Sequence, residues 1–219
     1  MKSIITSLFL VLLTGCAIGQ RFDYTHATPS IALPTKGSIS VGAQDRRQYV
    51  ISGAKSERFV GLIRGGFGNP FDVTTASEQP FAQDVVTILS RAIEQDGARV
   101  LALSLSPSAN RDEVARAIKL AKADSAIVLT INEWKTDSSF TTSVYFDLKL
   151  EEFDREGHVQ RISQTSGTDQ ISGYQWSLNP NAVIAKMATD ILKKKIEEMF
   201  SGLTKITSDT ATDSKKPAD

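Results

Sequence analysis

Val144-Tyr145-Phe146-Asp147-Leu148-Lys149-Leu150-Glu151 decides the fold. Val144, Phe146, Leu148 and Leu150 alternate with Tyr145, Asp147, Lys149 and Glu151, so one side of an extended chain is apolar and the other polar. A helix would scatter these residues around its circumference, so the stretch is a strand with one packed face. Asp154-Arg155-Glu156-Gly157 then reads as a turn into a returning strand, residues 158–167, polar enough to be an edge. Just upstream, Ala126-Ile127-Val128-Leu129-Thr130-Ile131 is apolar on both faces and reads as the central strand.

Further upstream the period changes. Phe81, Val85, Ile88, Leu89, Ala92 and Ile93 recur at three and four residues and mark a helix that Gly97 ends. Thr75-Ala76-Ser77-Glu78 has the spacing of a capping box for it, with Pro80 in the first turn. Arg99 to Leu105 reads as a strand. Asn110 and Glu113 cap a second helix with Val114, Ala117, Ile118 and Ala121 on its stripe. Ser38-Ile39-Ser40-Val41 alternates as a first strand, which the charged group Asp45, Arg46 and Arg47 leaves. Downstream, Asn179 and Pro180 supply N-cap and N1 for a third, long helix. Its apolar side is Val183, Met187, Ile191, Leu192, Ile196, Met199, Phe200 and Leu203, and Lys193, Lys194 and Lys195 read as its solvated face, with contact to anionic membrane as the alternative. The prediction is an α+β fold with an α/β-like first half. It is a single domain over residues 37–203 with a mixed sheet, three main helices and the element order βαβαβββα. The Ser, Thr, Asp and Lys of residues 204–219 bury too little to order themselves.

The start of the chain carries a different message. Met1 and Lys2 precede an apolar run from Ile4 to Leu13, broken by Thr6 and Ser7, and Leu12-Leu13-Thr14-Gly15-Cys16 follows. A membrane span needs roughly twenty apolar residues, about twice this run, so it reads as a secretory signal. The pattern resembles the lipobox of bacterial lipoproteins. That resemblance implies cleavage after residue 15, a diacylglyceryl group on the Cys16 thiol and acylation of the new amino terminus, palmitate among the acyl chains. Ala17 stands where an inner-membrane retention signal of enteric bacteria has Asp, which favours an outer-membrane anchor facing the periplasm. Residues 16–36 lack an amphipathic period, and Pro29 and Pro34 fix φ, so they read as the lipidated start and an extended linker.

With residues 1–15 removed, 24 basic residues face 25 acidic ones, a balance that argues against nucleic acid as a partner. Cys16 is the sole cysteine and His26 and His158 the only histidines, which leaves no disulfide, thiolate site or His cluster, and no cofactor is implied. Neither histidine lies in a catalytic motif, and Gly-x-Ser-x-Gly is absent. The chain reads as non-enzymatic.

Arg58 to Val73 is the least ordinary stretch, interleaving four glycines and a proline with three phenylalanines and two arginines. A strand over 58–63 runs into a tight loop. No Gly-Lys-Ser/Thr follows as a phosphate loop needs, and the third glycine of a dinucleotide fingerprint is replaced by Phe71. Two readings remain open: a hairpin whose phenylalanines plug the core, or a protein-binding loop with Arg64, Phe67, Asn69, Phe71 and Asp72 as anchors.

Three stretches, Leu13-Thr14-Gly15-Cys16, Pro29-Ser30-Ile31-Ala32-Leu33-Pro34 and Val41-Gly42-Ala43-Gln44-Asp45-Arg46-Arg47, together with the element order, resemble the YajG family of uncharacterised bacterial lipoproteins. The Phe59 to Val73 stretch departs from that family. The element order is also similar to the TolB amino-terminal and CsgG kinds of periplasmic domain, an analogy of fold that carries no function. The expected role is a periplasm-facing lipoprotein, held in the membrane by Cys16, that binds or supports another envelope component, such as a protein. Alternatives are a subunit of a ring-forming or secretion accessory assembly, in which copies of this chain associate, and a carrier of lipid or small molecules.

Overall fold

The structure is a computed structural model that describes residues 19–33, 37–65 and 67–205. The expected signal, Cys16 and the tail beyond residue 205 lie outside the described residues. In chain order the first half contains β1 (Arg21–Phe22), β2 (Ser38–Asp45), α1 (Gln48–Ile51), β3 (Phe59–Arg64), β4 (Pro70–Thr75), α2 (Phe81–Gln95) and β5 (Arg99–Ala102). The second contains α3 (Arg111–Ala121), β6 (Ser125–Ser138), β7 (Thr142–Asp154), β8 (Val159–Ile171), a 3-10 turn (Tyr174–Trp176), α4 (Pro180–Ser201) and β9 (Thr204–Lys205). The fold is α+β, and the nine strands among the described residues form one mixed sheet. The expected order βαβαβββα survives as β2, α2, β5, α3, β6, β7, β8 and α4, with the hairpin β3–β4 and three short pieces added around it.

The spine is β6. On one side β7 runs antiparallel to it for its whole length, from Ser125 opposite Asp154 to Ser138 opposite Thr142. On the other side two strands share it. β2 pairs parallel with the first half, Ile39 opposite Ser125 through Asp45 opposite Ile131, and β3 pairs parallel with the end, Gly61 opposite Thr136 through Ile63 opposite Ser138. The sheet therefore forks: β2 leads to β5, and β3 leads to β4 and β1. Gly61 makes the second branch possible, because a Cβ there would sit 2.5 Å from the Thr136 carbonyl oxygen.

The fork is closed by a buried charge pair. Arg47 is fully buried, its guanidinium bonded through Nε and Nη2 to both oxygens of Asp45 at 2.8 and 2.6 Å. Nη1 donates to the carbonyls of Phe59, on one branch, and Trp134, on the spine, at 2.6 and 3.1 Å. The rings of Tyr49 and Phe81 lie 5.5 and 5.2 Å from the guanidinium carbon. Burial opposes the Arg47 charge, but Asp45 outweighs it and holds the group above its ordinary value. The charged group expected to leave the first strand instead lies partly within it, since β2 runs on to Asp45.

α2 and α4 cover one face of the sheet. Ile127, Leu129, Phe146 and Leu148, at 5% exposure or less, pack there with Val85, Leu89, Ala188, Leu192 and Ile196. α3 covers part of the opposite face with Val114 and Ile118 against Ala126, Val128 and Phe153. Its capping box is formed as predicted, Asn110 accepting from Glu113 N at 3.1 Å and Glu113 accepting from Asn110 N at 2.8 Å.

Five expectations need correction. Residues 19–33, expected within an extended linker, pack on the domain: Tyr24 is buried against Phe81 and Trp134, Phe22 is buried beside Tyr24, and Tyr24 accepts the Trp134 indole N–H at 3.1 Å. The aromatic contacts order a segment whose local pattern is extended. Thr75 does not cap a helix, because it ends β4 and Pro80 immediately precedes α2. The strand from Arg99 ends at Ala102, short of Leu105. Lys195 is not on a solvated face: it is buried, 3.1 Å from Asp169 and 4.4 Å from the centre of the Phe146 ring. Finally, residues 204–205, expected in the disordered tail, extend the sheet as β9.

Candidate functional site

Three connections meet at one end of the sheet. The β3–β4 turn, residues 65–69, follows Arg64 and precedes Pro70, which pair with each other, while Ile63 lies opposite Ser138 on β6. The β6–β7 turn, residues 139–141, starts at that same Ser138. The β8–α4 connection, residues 172–179, leaves Ile171, which pairs with Thr142, and Tyr174 Oη donates to the Phe140 carbonyl at 3.4 Å. Gly173 takes φ of 83°, a left-handed turn that glycine makes without strain.

These connections place large apolar side chains in solvent. Phe67 is 99% exposed, Phe140 96%, Trp176 94% and Leu178 106%. Each projects from a turn whose neighbours are Gly, Ser, Thr, Asn or Gln, and residues 65–69, 139–141 and 172–179 contain no Asp, Glu, Lys or Arg. A scattered exposed apolar residue is ordinary on any protein, whereas here four project from connections at one end of one sheet and form an apolar rim.

Of the predicted anchors, Phe67 and Asn69 sit exposed on the turn. Phe71 does not join them. It is half-buried in β4 opposite the buried Ile63, with its ring 3.0 Å from where a Gly65 Cβ would lie, so one phenylalanine of the stretch packs inward while Phe67 stands in solvent. Arg64 is engaged bidentately by Asp137 at 2.9 and 2.8 Å, and Asp72 by Lys55 at 2.5 Å. These two pairs brace the hairpin on the rest of the domain. Phe140, Trp176 and Leu178 were missed by sequence reasoning. Their signal is the one that singled out Phe67: a large apolar residue outside any strand or helix period, here between Ser139 and Thr141 and just ahead of the Asn179 cap.

A second concavity of about 360 Å³ lies beside α3, lined in part by Gln44, Arg46, Arg111, Thr130, Lys149 and Glu151. Its polar groups are largely engaged already. Gln44 donates to the carbonyls of Ser106 and Ala109 at 2.9 and 3.1 Å, Arg46 Nη2 to Ala109 at 2.6 Å, and Lys149 pairs with Glu151 at 2.8 Å. Among the described residues no group of three or more His, Cys, Asp or Glu has the geometry to hold a metal ion. No helix among them is long and apolar enough to cross a membrane.

No protein-family model matches the chain, and no curated protein matches it. Solved structures do resemble it. The crystal structure of protein XCC0632 from Xanthomonas campestris, of family DUF330, superposes with a TM-score of 0.50 at 13% identity, covering 84% of this chain and 97% of that one. The PelC dodecamer from Paraburkholderia phytofirmans gives 0.40 at 13% identity over 78% and 92%, and lipoprotein GNA1162 from Neisseria meningitidis 0.31 at 15% over 74% and 98%. The first likeness is one of fold. The YajG resemblance rests on the residues quoted for it.

Proposed function

We propose that this chain is a non-enzymatic lipoprotein of the cell envelope whose domain binds another envelope component through the rim of Phe67, Phe140, Trp176 and Leu178. The observation that carries the proposal is that these side chains, each at least 94% exposed, share one end of the sheet on connections without charge. Burying one such side chain on a partner contributes about 1.5–3 kcal/mol, so all four together offset much of the cost of association. The anchor is Cys16, and Ala17 after it favours the outer membrane with the domain in the periplasm.

A photo-reactive residue placed at 67 or 140 of the full chain in its native envelope tests this reading. An adduct with an envelope component is expected at both positions and not at 156, in the β7–β8 turn at the other end. Equal yields at all three positions, or none, contradict the proposal. Cys16→Ser should abolish palmitate labelling, and a labelled variant would refute the anchor.

A second reading, assembly of several copies, is favoured by the outer edge of β8. Beyond Ile162 that strand has no neighbour on its outer side among the described residues. Unpaired edges template strand pairing, although Gln164, Ser166, Thr168 and Gln170 make this one polar. Native mass spectrometry of the lipidated chain distinguishes a defined oligomer from a monomer.

A further inference from the structure

The identity of the component at the rim follows from three further features. The first is composition. A protein interface surrounds its apolar centre with polar and charged residues that set orientation, whereas here the projecting connections carry aromatic, Leu and uncharged polar or small residues and no charge. Trp and Phe on an uncharged edge suit the boundary between headgroups and acyl chains, where an indole keeps its N–H in the wet layer. The second is what stands behind the tips. Arg64 and Asp137 neutralise each other, as do Lys55 and Asp72, so no unpaired charge from these four is carried toward the rim.

The third is the direction in which the chain arrives. β1 is parallel to β4, Arg21 opposite Thr74 and Phe22 opposite Thr75. One residue earlier the Gln20 carbonyl accepts from Thr74 N at 3.1 Å, so the chain enters β1 from the end of β4 that carries the β3–β4 turn. Cys16 is three residues before Gly19, and three residues span at most about 11 Å. A lipid on Cys16 would therefore be tethered within that reach of the point where the chain enters this end of the sheet.

Building on the rim as the binding surface proposed above, we infer that it is a membrane-docking edge, with Phe67, Phe140, Trp176 and Leu178 inserted into the interfacial layer of a phospholipid bilayer. The anchor holds the domain near the surface, and the rim sets which end faces it. Docking is apolar in origin, so it requires no anionic lipid and survives salt.

The chain supplies its own reporter. It has two tryptophans, of which Trp134 is fully buried and Trp176 is 94% exposed. The lipidated full chain is reconstituted into phosphatidylethanolamine–phosphatidylglycerol vesicles containing phospholipid with brominated acyl chains. The expected result is quenching of one emission component, lost in Trp176→Phe and equal in phosphatidylcholine vesicles at high salt. Phe67→Ser with Phe140→Ser should lower the ratio of docked to undocked Trp176 about tenfold or more per aromatic removed, while unchanged Trp134 emission reports an intact fold. Trp176 that stays open to acrylamide and blind to brominated lipid overturns the inference. Quenching that depends on phosphatidylglycerol and vanishes in salt also overturns it, in favour of the basic face of α4. If Trp176 is unquenched but a probe at 67 forms a protein adduct in native envelopes, the lipid assignment falls and the binding rim stands. If neither quenching nor any adduct is found, both fall.

Discussion

Arg47 and Trp176 both break the rule that charges face water and large rings face the core, and they break it in opposite senses. Arg47 is buried where the sheet forks, and its charge is met by Asp45, by backbone carbonyls from a branch and the spine and by two aromatic rings. Trp176 stands 94% exposed at the end of the sheet beside three similarly placed side chains. The chain itself supplies what Arg47 needs, so that charge belongs to the fold. Among the described residues nothing covers the rim, which is why it is the surface proposed for binding. Perturbing each in turn separates architecture from recognition.

The largest expected effect is at the fork. Arg47→Met leaves the Asp45 carboxylate buried without its cation, and losing one partner of a buried pair costs about 3–5 kcal/mol. The double variant Asp45→Leu, Arg47→Met removes the stranded charge and should recover much of the loss in denaturant unfolding. A double variant no more stable than the single would show that the carbonyl bonds, rather than the charge pair, hold the branches together. Next come Leu148→Ala and Phe146→Ala, each about 2–5 kcal/mol by lost burial and the cavity left behind. Midpoints unchanged in both would mean that β7 presents its other face to α4.

β7 was legible because a period of two admits no other regular structure, and α3 and α4 because Asn110 with Glu113 and Asn179 with Pro180 announce their starts. The second branch of the sheet was less legible. β1 has two residues and no period, and Tyr24, with Phe22 beside it, is core because Phe81 and Trp134, far away in sequence, are there to meet it. Asp45 and Arg47 looked like a solvated exit. Their spacing of two puts both side chains on one side of an extended chain, but the carbonyls that fix Arg47 come from the fold. Lys195 was readable and misread: it is three residues after Leu192 and four before Met199, on the buried face of α4. On the rim, Phe67 was found by its lack of a regular place, and the same criterion applied to residues 139–141 and 172–179 yields the other members.

Lys195 offers a smaller test, since it is a cation the fold uses on a helix that shows others to water. Lys195→Ala should cost about 1–2 kcal/mol through loss of Asp169 and the Phe146 ring, against ~0.5 kcal/mol or less for Lys194→Ala. Equal effects would return Lys195 to the solvated face. Asp124 gives a pH test. Hydrogen bonds from the Ser38 backbone N–H and hydroxyl, then from Arg155, hold its carboxyl at about 2, below the ordinary aspartate range. A depressed folded-state value stabilises above the unfolded one and is lost on acidification, so this contribution should fade between about pH 4 and pH 2. Asp124→Asn should flatten stability over that window, and an unchanged profile would refute the assignment.

The smallest expected change is the most telling. The triple variant Phe67→Ser, Phe140→Ser, Trp176→Ser, unfolded in denaturant and followed by the emission of buried Trp134, should match the wild-type midpoint within about 0.5 kcal/mol, as side chains that touch little in the fold must. A loss of about 2 kcal/mol or more, the scale of a core truncation, would show that these residues hold the domain together and would contradict the account of the rim as a surface kept for a partner.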